Sequence, residues 1–373
     1  MAAAAPRPDP AIVQLLMEKG ADKSARDRAG RTALDWALLQ GDTPAARVLR
    51  DAGTPALAPP LPPRAAIDTP RAARAAIVEA LARFRPISPV FEQRKCISCH
   101  HQTLPLMAMK MAGARGIGLD IEATAQLTRA ILDVWKSRRE GLMLGRLLGG
   151  GANEITYGLL AFAESGIPPS VETDAATVNL ASTQLTDGSW VFLDTRPPQA
   201  DNSRIPFTAM AIRGLEVYGP PGQRENLKSR IARAREFLRA VSPASTQDEA
   251  FKLLGLVWAR VSAAEMSAQA KRLLALQRAD GGWAQLPTMT PDAYATGEAL
   301  YALHASGMST KSSAYQKGTA YLLRTQLADG TWFVHSRAFG FQPYFESGFP
   351  HGADQFISAS ATAWAVIALT YAL

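Results

Sequence analysis

The feature that most constrains this chain is a turn written three times: Gln184-Leu-Thr-Asp187-Gly188-Ser-Trp190, Gln277-Arg-Ala-Asp280-Gly281-Gly-Trp283 and Gln326-Leu-Ala-Asp329-Gly330-Thr-Trp332. Each copy follows a stretch with one charged helical face and leads into a stretch of small and apolar residues. Asp-Gly supplies the left-handed residue that stops a helix. Gln can bond the backbone groups set loose there, and Trp is large enough to pack across to a neighbour. The turn is part of a longer repeat of roughly 50 residues that runs from Arg64 onward.

The second helix of each unit is the clearer: residues 103–116, 154–166, 205–219, 248–261, 292–307 and 354–373. The helices before them, near 71–84, 121–137, 172–184, 225–240, 263–277 and 314–326, carry Arg, Lys and Glu on one face. A helix apolar all round must be enclosed, and one with a charged face must be outside. Six helical hairpins in two concentric rings satisfy both demands, so an all-α (α/α)6 toroid is predicted over residues 66–373.

The three turns are similar to the QW motif of squalene-hopene cyclases and to the equivalent turns of protein prenyltransferase β subunits. That resemblance implies an apolar central cavity suited to a hydrophobic, isoprenoid-like small molecule. The catalytic pieces of either family do not carry over. Class II cyclases protonate an alkene from an Asp-x-Asp-Asp motif, and the nearest segment is Pro291-Asp292-Ala293-Tyr294, with a single carboxylate. Prenyltransferases hold zinc with Asp, Cys and His, but Tyr294 stands where the Cys would fall and Ile357-Ser358-Ala359 where the His would. Asp292, Asp354, Asp248 and Glu154 stand at or near the first turn of inner helices. There a carboxylate caps N–H groups and opposes the helix dipole. Asp292 and Asp354 are the candidate acids if the chain is a cyclase-like enzyme.

Before the repeats, Ile12-Val13-x-Leu15-Leu16-x-x-x-Gly20-Ala21-Asp22 and Gly30-Arg31-Thr32-Ala33-Leu34 resemble an ankyrin repeat and part of another within residues 1–53. This implies a protein-binding segment, and since isolated repeats cannot bury their own faces, it must pack on the main domain or on lost neighbours. Residues 54–65, rich in proline, read as an extended linker. The formal charge of +7 would suit nucleic acid, but no basic cluster interleaved with aromatics is present, so no nucleic-acid partner is expected. The basic stretch 224–239 has helical spacing and reads as a solvated outer face. The uncharged run 357–373 is flanked by no basic residues and reads as a buried helix, so no transmembrane segment is expected.

The chain has two cysteines and five histidines. Both cysteines and two of the histidines fall in Lys95-Cys96-Ile97-Ser98-Cys99-His100-His101-Gln102, within the loop of the first hairpin. Cys-x-x-Cys-His is the attachment signature of c-type haem, in which two thiols bind the vinyl groups and the adjacent His coordinates iron. On this reading His100 is the proximal ligand, and His351, His335, Met107 or water takes the sixth position. His351 and His335 are expected on the same rim, and His304 inside an inner helix is expected to be a core residue. Competing readings of the cluster are a zinc site of Cys96, Cys99, His100 and His351, a disulfide, or no cofactor.

Three functional expectations follow. The first is an exported c-type haem protein serving electron transfer or oxidation of a hydrophobic small molecule in the central cavity. Haem attachment takes place outside the cytoplasm in bacteria, so this reading predicts a periplasmic protein whose export signal has been trimmed away; otherwise it is cytoplasmic. The second is a terpene-cyclase-like or prenyltransferase-like enzyme, and the third a non-catalytic binding scaffold.

Overall fold

A computed structural model describes residues 9–28, 30–57, 72–85, 97–118, 120–146, 152–191, 195–196, 200–201, 203–337 and 345–373. Cys96 and most of the expected linker lie outside the described residues.

The segment before the linker forms three short helices, α1 (Pro10–Glu18), α2 (Ala33–Ala37) and α3 (Pro44–Asp51). Thr32 and Asp35 make the reciprocal capping pair that starts α2. Val13, Leu34, Ala37, Ala45, Ala46 and Leu49 form a small core of their own. The segment docks on the main body as its incomplete core requires: Asp42 N–H donates to Thr288 O at 2.9 Å, and Thr288 Oγ1 donates to Gln40 O at 2.7 Å.

The rest alternates outer and inner helices. The outer ones are α4 (Ala73–Ala82), α6 (Ile121–Ser137), α9 (Val171–Ser182), α11 (Arg224–Ala240), α13 (Ala263–Leu274) and α15 (Ser313–Thr325). The inner ones are α5 (Leu104–Ala114), α8 (Ala152–Glu164), α10 (Ile205–Tyr218), α12 (Thr246–Trp258), α14 (Ala293–Ala305) and α16 (Gln355–Tyr371), and a short α7 (Arg139–Met143) follows α6. Inner helices pack in the order α5, α8, α10, α12, α14, α16 and back to α5, which closes the ring. Among the described residues the only strands are two-residue partners, Thr195–Arg196 and Ala200–Asp201. No described helix is long and apolar enough to cross a membrane.

The repeated turn works through a division of labour. Each Trp indole donates to the carbonyl of Leu180, Leu273 or Leu322 in its own outer helix, at 2.7–2.9 Å. Its backbone N–H donates to Thr208, Thr296 or Thr362 of the following inner helix. The far edge of Trp283 lies against Gly318 in the next outer helix, so the ring does reach its neighbour as expected. The covalently distant link, however, is made by Gln: Gln184, Gln277 and Gln326 each donate to the Gly carbonyl of their own turn and to Arg230, Ala314 and Ala76 of the next outer helix. The Gln326 to Ala76 bond joins the last hairpin to the first. The glycines sit at φ of 87–90°, in the left-handed region where a side chain is strained.

Aromatic side chains line the interior. Tyr157, Phe207, Phe251, Tyr294, Tyr301 and Trp364 are all buried. Phe251 and Trp364, from helices that are not ring neighbours, meet at 6.4 Å between centroids.

Candidate functional site at the mouth of the toroid

The loops that carry the repeated turns and the N-termini of the inner helices share one rim. The sequence places the Cys/His motif there, and the structure shows how. Cys99–Thr103 forms a single π-helical turn before α5. Ser98 Oγ accepts from His101 N–H, Ser98 N–H donates to Gln102 Oε1 at 2.8 Å, and Thr103 Oγ1 donates to Cys99 O. Such turns are often found at functional sites.

Cys99 is buried, with Asn153 Nδ2 of α8 at 3.8 Å from its sulfur. Of His100 only the backbone is described. His101 points the other way, toward the start of α16, where Nε2 lies 3.0 Å from Ser347 Oγ. Its ring stands edge-on to Phe356 and Phe349, so it serves the wall.

His351 and His335 are on this rim as expected. His351 takes a left-handed backbone, φ 87°, and its Nε2 is 2.7 Å from Thr331 Oγ1. Burial lowers its pKa, with Asp329 and Asp354 partly opposing. His335 Nδ1 is 3.0 Å from Asp354 Oδ1, which fixes the ring and turns Nε2 away from the carboxylate. Met107 is fully buried on α5, two turns and about 10 Å along the helix from His100. His304 lies at the opposite end, half-buried with its ring centroid 3.8 Å from that of Tyr371 and tilted against it. Among the described residues, no three His, Cys, Asp or Glu side chains stand close enough to hold a metal ion; Cys96 and the His100 side chain are outside that set.

The four carboxylates at inner-helix starts are occupied structurally. Asp292 Oδ1 accepts from Ala295 N–H as the N-cap of α14, and Oδ2 pairs with Arg337. Asp354 accepts from Ser336 N–H as well as holding His335. Asp248 accepts from Ala244 N–H and from Ser203, and burial raises its pKa. Glu154 lies 3.7 Å from Arg138.

A second layer, absent from the sequence reading, lies just inside the mouth. Gln247 Nε2 is 3.4 Å from Tyr294 Oη and 3.5 Å from Glu298 Oε1. Tyr157 on α8 and Tyr294 on α14 come from opposite sides of the ring. Both phenols are pushed well above the usual range, by burial first, then by the charges of Cys99 and Glu298 for Tyr157 and of Glu298 for Tyr294. Glu298, with 1% of its surface exposed, is the one acidic residue within α14. That isolation was the available signal.

The fold thus defines an α/α toroid preceded by an ankyrin-like segment. Residues 1–50 match the family model for ankyrin repeats (many copies). No curated protein matches the chain. Among solved structures, a glycosidase is similar at TM-score 0.52 and 10% identity, over 80% of this chain and 99% of that one. A protein from Klebsiella pneumoniae described as a possible member of the GH105 family gives 0.51 and 14%, over 84% and 96%. The type II terpene cyclase MstE from Scytonema, bound to geranylgeranyl dihydroxybenzoate, gives 0.48 and 12%, over 80% and 99%. At these identities the likeness is one of fold.

Proposed function

We propose that the chain is an exported c-type haem protein in which Cys96, Cys99 and His100 hold the haem at the mouth of the toroid. The observation that carries the reading is the placement of the motif. Its second cysteine opens the π-turn at the start of an inner helix, with the thiol in the inner wall, while three other hairpins place an Asp-Gly turn at the equivalent position.

The described residues fit such a group. Cys96 and Cys99 would hold the haem through thioether bonds, and His100 would ligate its iron. Phe349 and Phe356, edge-on to His101, offer an apolar wall, and the ring of His335, oriented through Nδ1 by the Asp354 carboxylate, leaves Nε2 for a metal. His335 is the better sixth ligand, because Thr331 occupies the Nε2 of His351. Bound haem supplies one-electron transfer. The role is electron transfer, or oxidation of a hydrophobic small molecule held beside the haem, and the ankyrin segment is the surface for a protein partner. A zinc ion on Cys96, Cys99, His100 and His351 is the alternative occupant. Periplasmic residence follows from the haem reading.

The layer below favours one second reading, an acid-base enzyme of the cyclase type with Glu298 as the acid. Asp292 and Asp354 are tied up in caps and ion pairs, whereas Glu298 faces Gln247 in the lumen.

The test is an ultraviolet–visible spectrum and pyridine haemochrome assay on protein exported alongside a cytochrome c maturation system. The expected result is a covalent haem signal that Cys96→Ala and Cys99→Ala each abolish. Colourless protein under those conditions overturns the haem reading, and zinc found by metal analysis would then support the alternative.

A further inference from the structure

Outside the ring of inner helices, between the turn before α12 and the segment after α13, a cleft of about 350 Å³ opens on the same rim. Two side chains of opposite charge line it, Glu249 on α12 and Arg278 just after α13. Nothing in the haem reading uses either.

The two charges do not neutralise each other, and among the described residues neither has an ion-pair partner. Arg278 is exposed. Its Nη2 donates to Pro287 O at 2.9 Å, which leaves the rest of the guanidinium fork to a ligand. That carbonyl belongs to an anchored segment, because the next residue, Thr288, is gripped by residues 40–42.

Glu249 is half-buried. Gln269 Nε2 donates to its Oε2, while Oε1 takes no hydrogen bond from the protein and is not sealed from solvent. Lys252, three residues further along α12, spends its ammonium on the carbonyls of Val241 and Arg239, at 2.7 and 3.4 Å. Burial pushes the Glu249 carboxyl up, and Gln269, Arg272 and Lys252 offset this only in part. The carboxylate lacks a close cation, and one entering the cleft would supply it.

The pairing narrows the class of ligand. A simple anion would suit Arg278 and be repelled by Glu249, and a simple cation would meet the reverse. A molecule with both an ammonium and a carboxylate satisfies the two walls at once, its carboxylate able to take two parallel N–H bonds from the guanidinium. Pro243, Leu276 and Pro287 supply apolar walls for a side chain, and the volume suits roughly one or two amino-acid residues, near the lower end of small-molecule sites.

We infer that this cleft binds a zwitterion, a free amino acid or a dipeptide, with its ammonium against Glu249 and its carboxylate against Arg278.

Saturation-transfer NMR at neutral pH tests the inference on the full chain with four probes: leucine, alanyl-leucine, N-acetylleucine and leucinamide. Transfer to at least one of the two zwitterions is expected to exceed that to N-acetylleucine and to leucinamide by five-fold or more. Stronger transfer to leucine identifies a free amino acid as the ligand, and stronger transfer to alanyl-leucine a dipeptide. Glu249→Gln, whose amide oxygen can still accept from Gln269, should erase the preference over N-acetylleucine, and Arg278→Gln the preference over leucinamide. Melting temperatures close to the parent's in both variants show that the altered pattern reports recognition. Absence of transfer to either zwitterion, equal transfer to all four probes, or a preference unchanged in both variants overturns the inference.

Discussion

Replacing Gly297 with alanine sets two effects of opposite sign against each other. A helix-interior Gly→Ala change on its own stabilises by roughly 1 kcal/mol. At Gly297, however, the added Cβ would fall 2.5 Å from the Trp364 carbonyl carbon and 2.7 Å from its Cβ. The obstructing atoms are mostly backbone, so no rotamer change relieves them, and α14 and α16 must part by about 1 Å to restore ordinary contact. Trp364 is fully buried and also packs on Tyr301 and Phe251. A gap of that size forfeits a quarter to a half of each contact well along the seam. Overpacking costs typically about 1–3 kcal/mol and more where the backbone must shift. Taking about 3–5 kcal/mol here and subtracting the helix gain leaves a net loss of about 2–4 kcal/mol. With an unfolding entropy of about 2.1 cal/mol/K per residue over roughly 300 residues, the melting temperature should fall by about 3–6 °C. Differential scanning calorimetry measures it, with Gly222→Ala, which meets nothing within 4 Å, as the control expected to stay near the parent. A Gly297→Ala protein that melts with or above the parent would show that the inner ring is not packed to contact, and the reasoning fails.

The Asp292 and Arg337 pair is nearly buried, at 11% and 9% side-chain exposure, so Asp292→Asn should cost about 3–5 kcal/mol in urea unfolding by stranding the guanidinium. Asp292→Ala should cost about 1 kcal/mol more, because Asn still caps α14; equal losses would refute the cap. At the joint, Gly41→Ala would put its Cβ 2.1 Å from Thr288 O at a φ of 82°, so hydrogen exchange at the Asp42 amide should quicken, and unchanged protection would refute the docking. Burial lowers the pKa of His351 and of His304, so the unfolded chain binds more protons as pH falls through the ordinary histidine value near 6.5. Stability should therefore be full above that value and decline as pH drops toward the folded-state pKa. His351→Asn, which also suits the left-handed backbone, should flatten the decline in denaturant titrations at paired pH values; an unaltered slope contradicts a buried neutral His351.

The toroid was legible because its logic is periodic. The inner helices are mostly apolar and the outer ones carry the charge, and the Asp-Gly stops made the helix ends readable. The expected 121–137 coincides with α6, and most other boundaries fall within two or three residues. The turn chemistry was legible only in part: Trp was visible as a packing residue, but that Gln carries the hydrogen bond to the next hairpin depends on where the chain places Ala76, Ala314 and Arg230 in space.

The inner layer of the mouth was hidden by the same periodicity that revealed the fold. Tyr157, Gln247 and Tyr294 occupy helices whose overall pattern announces burial, and a phenol or an amide barely disturbs that pattern. The sequence drew attention instead to carboxylates at helix starts, where Asp292 and Asp354 proved to cap, pair and orient. A helix start already supplies a structural reason for an acid, so position there says little about chemistry. Glu298 has no such reason: it lies in the middle of an enclosed helix, and burying a carboxyl is costly unless its partners are built around it. An acid in that place is the one that the fold, by itself, does not account for.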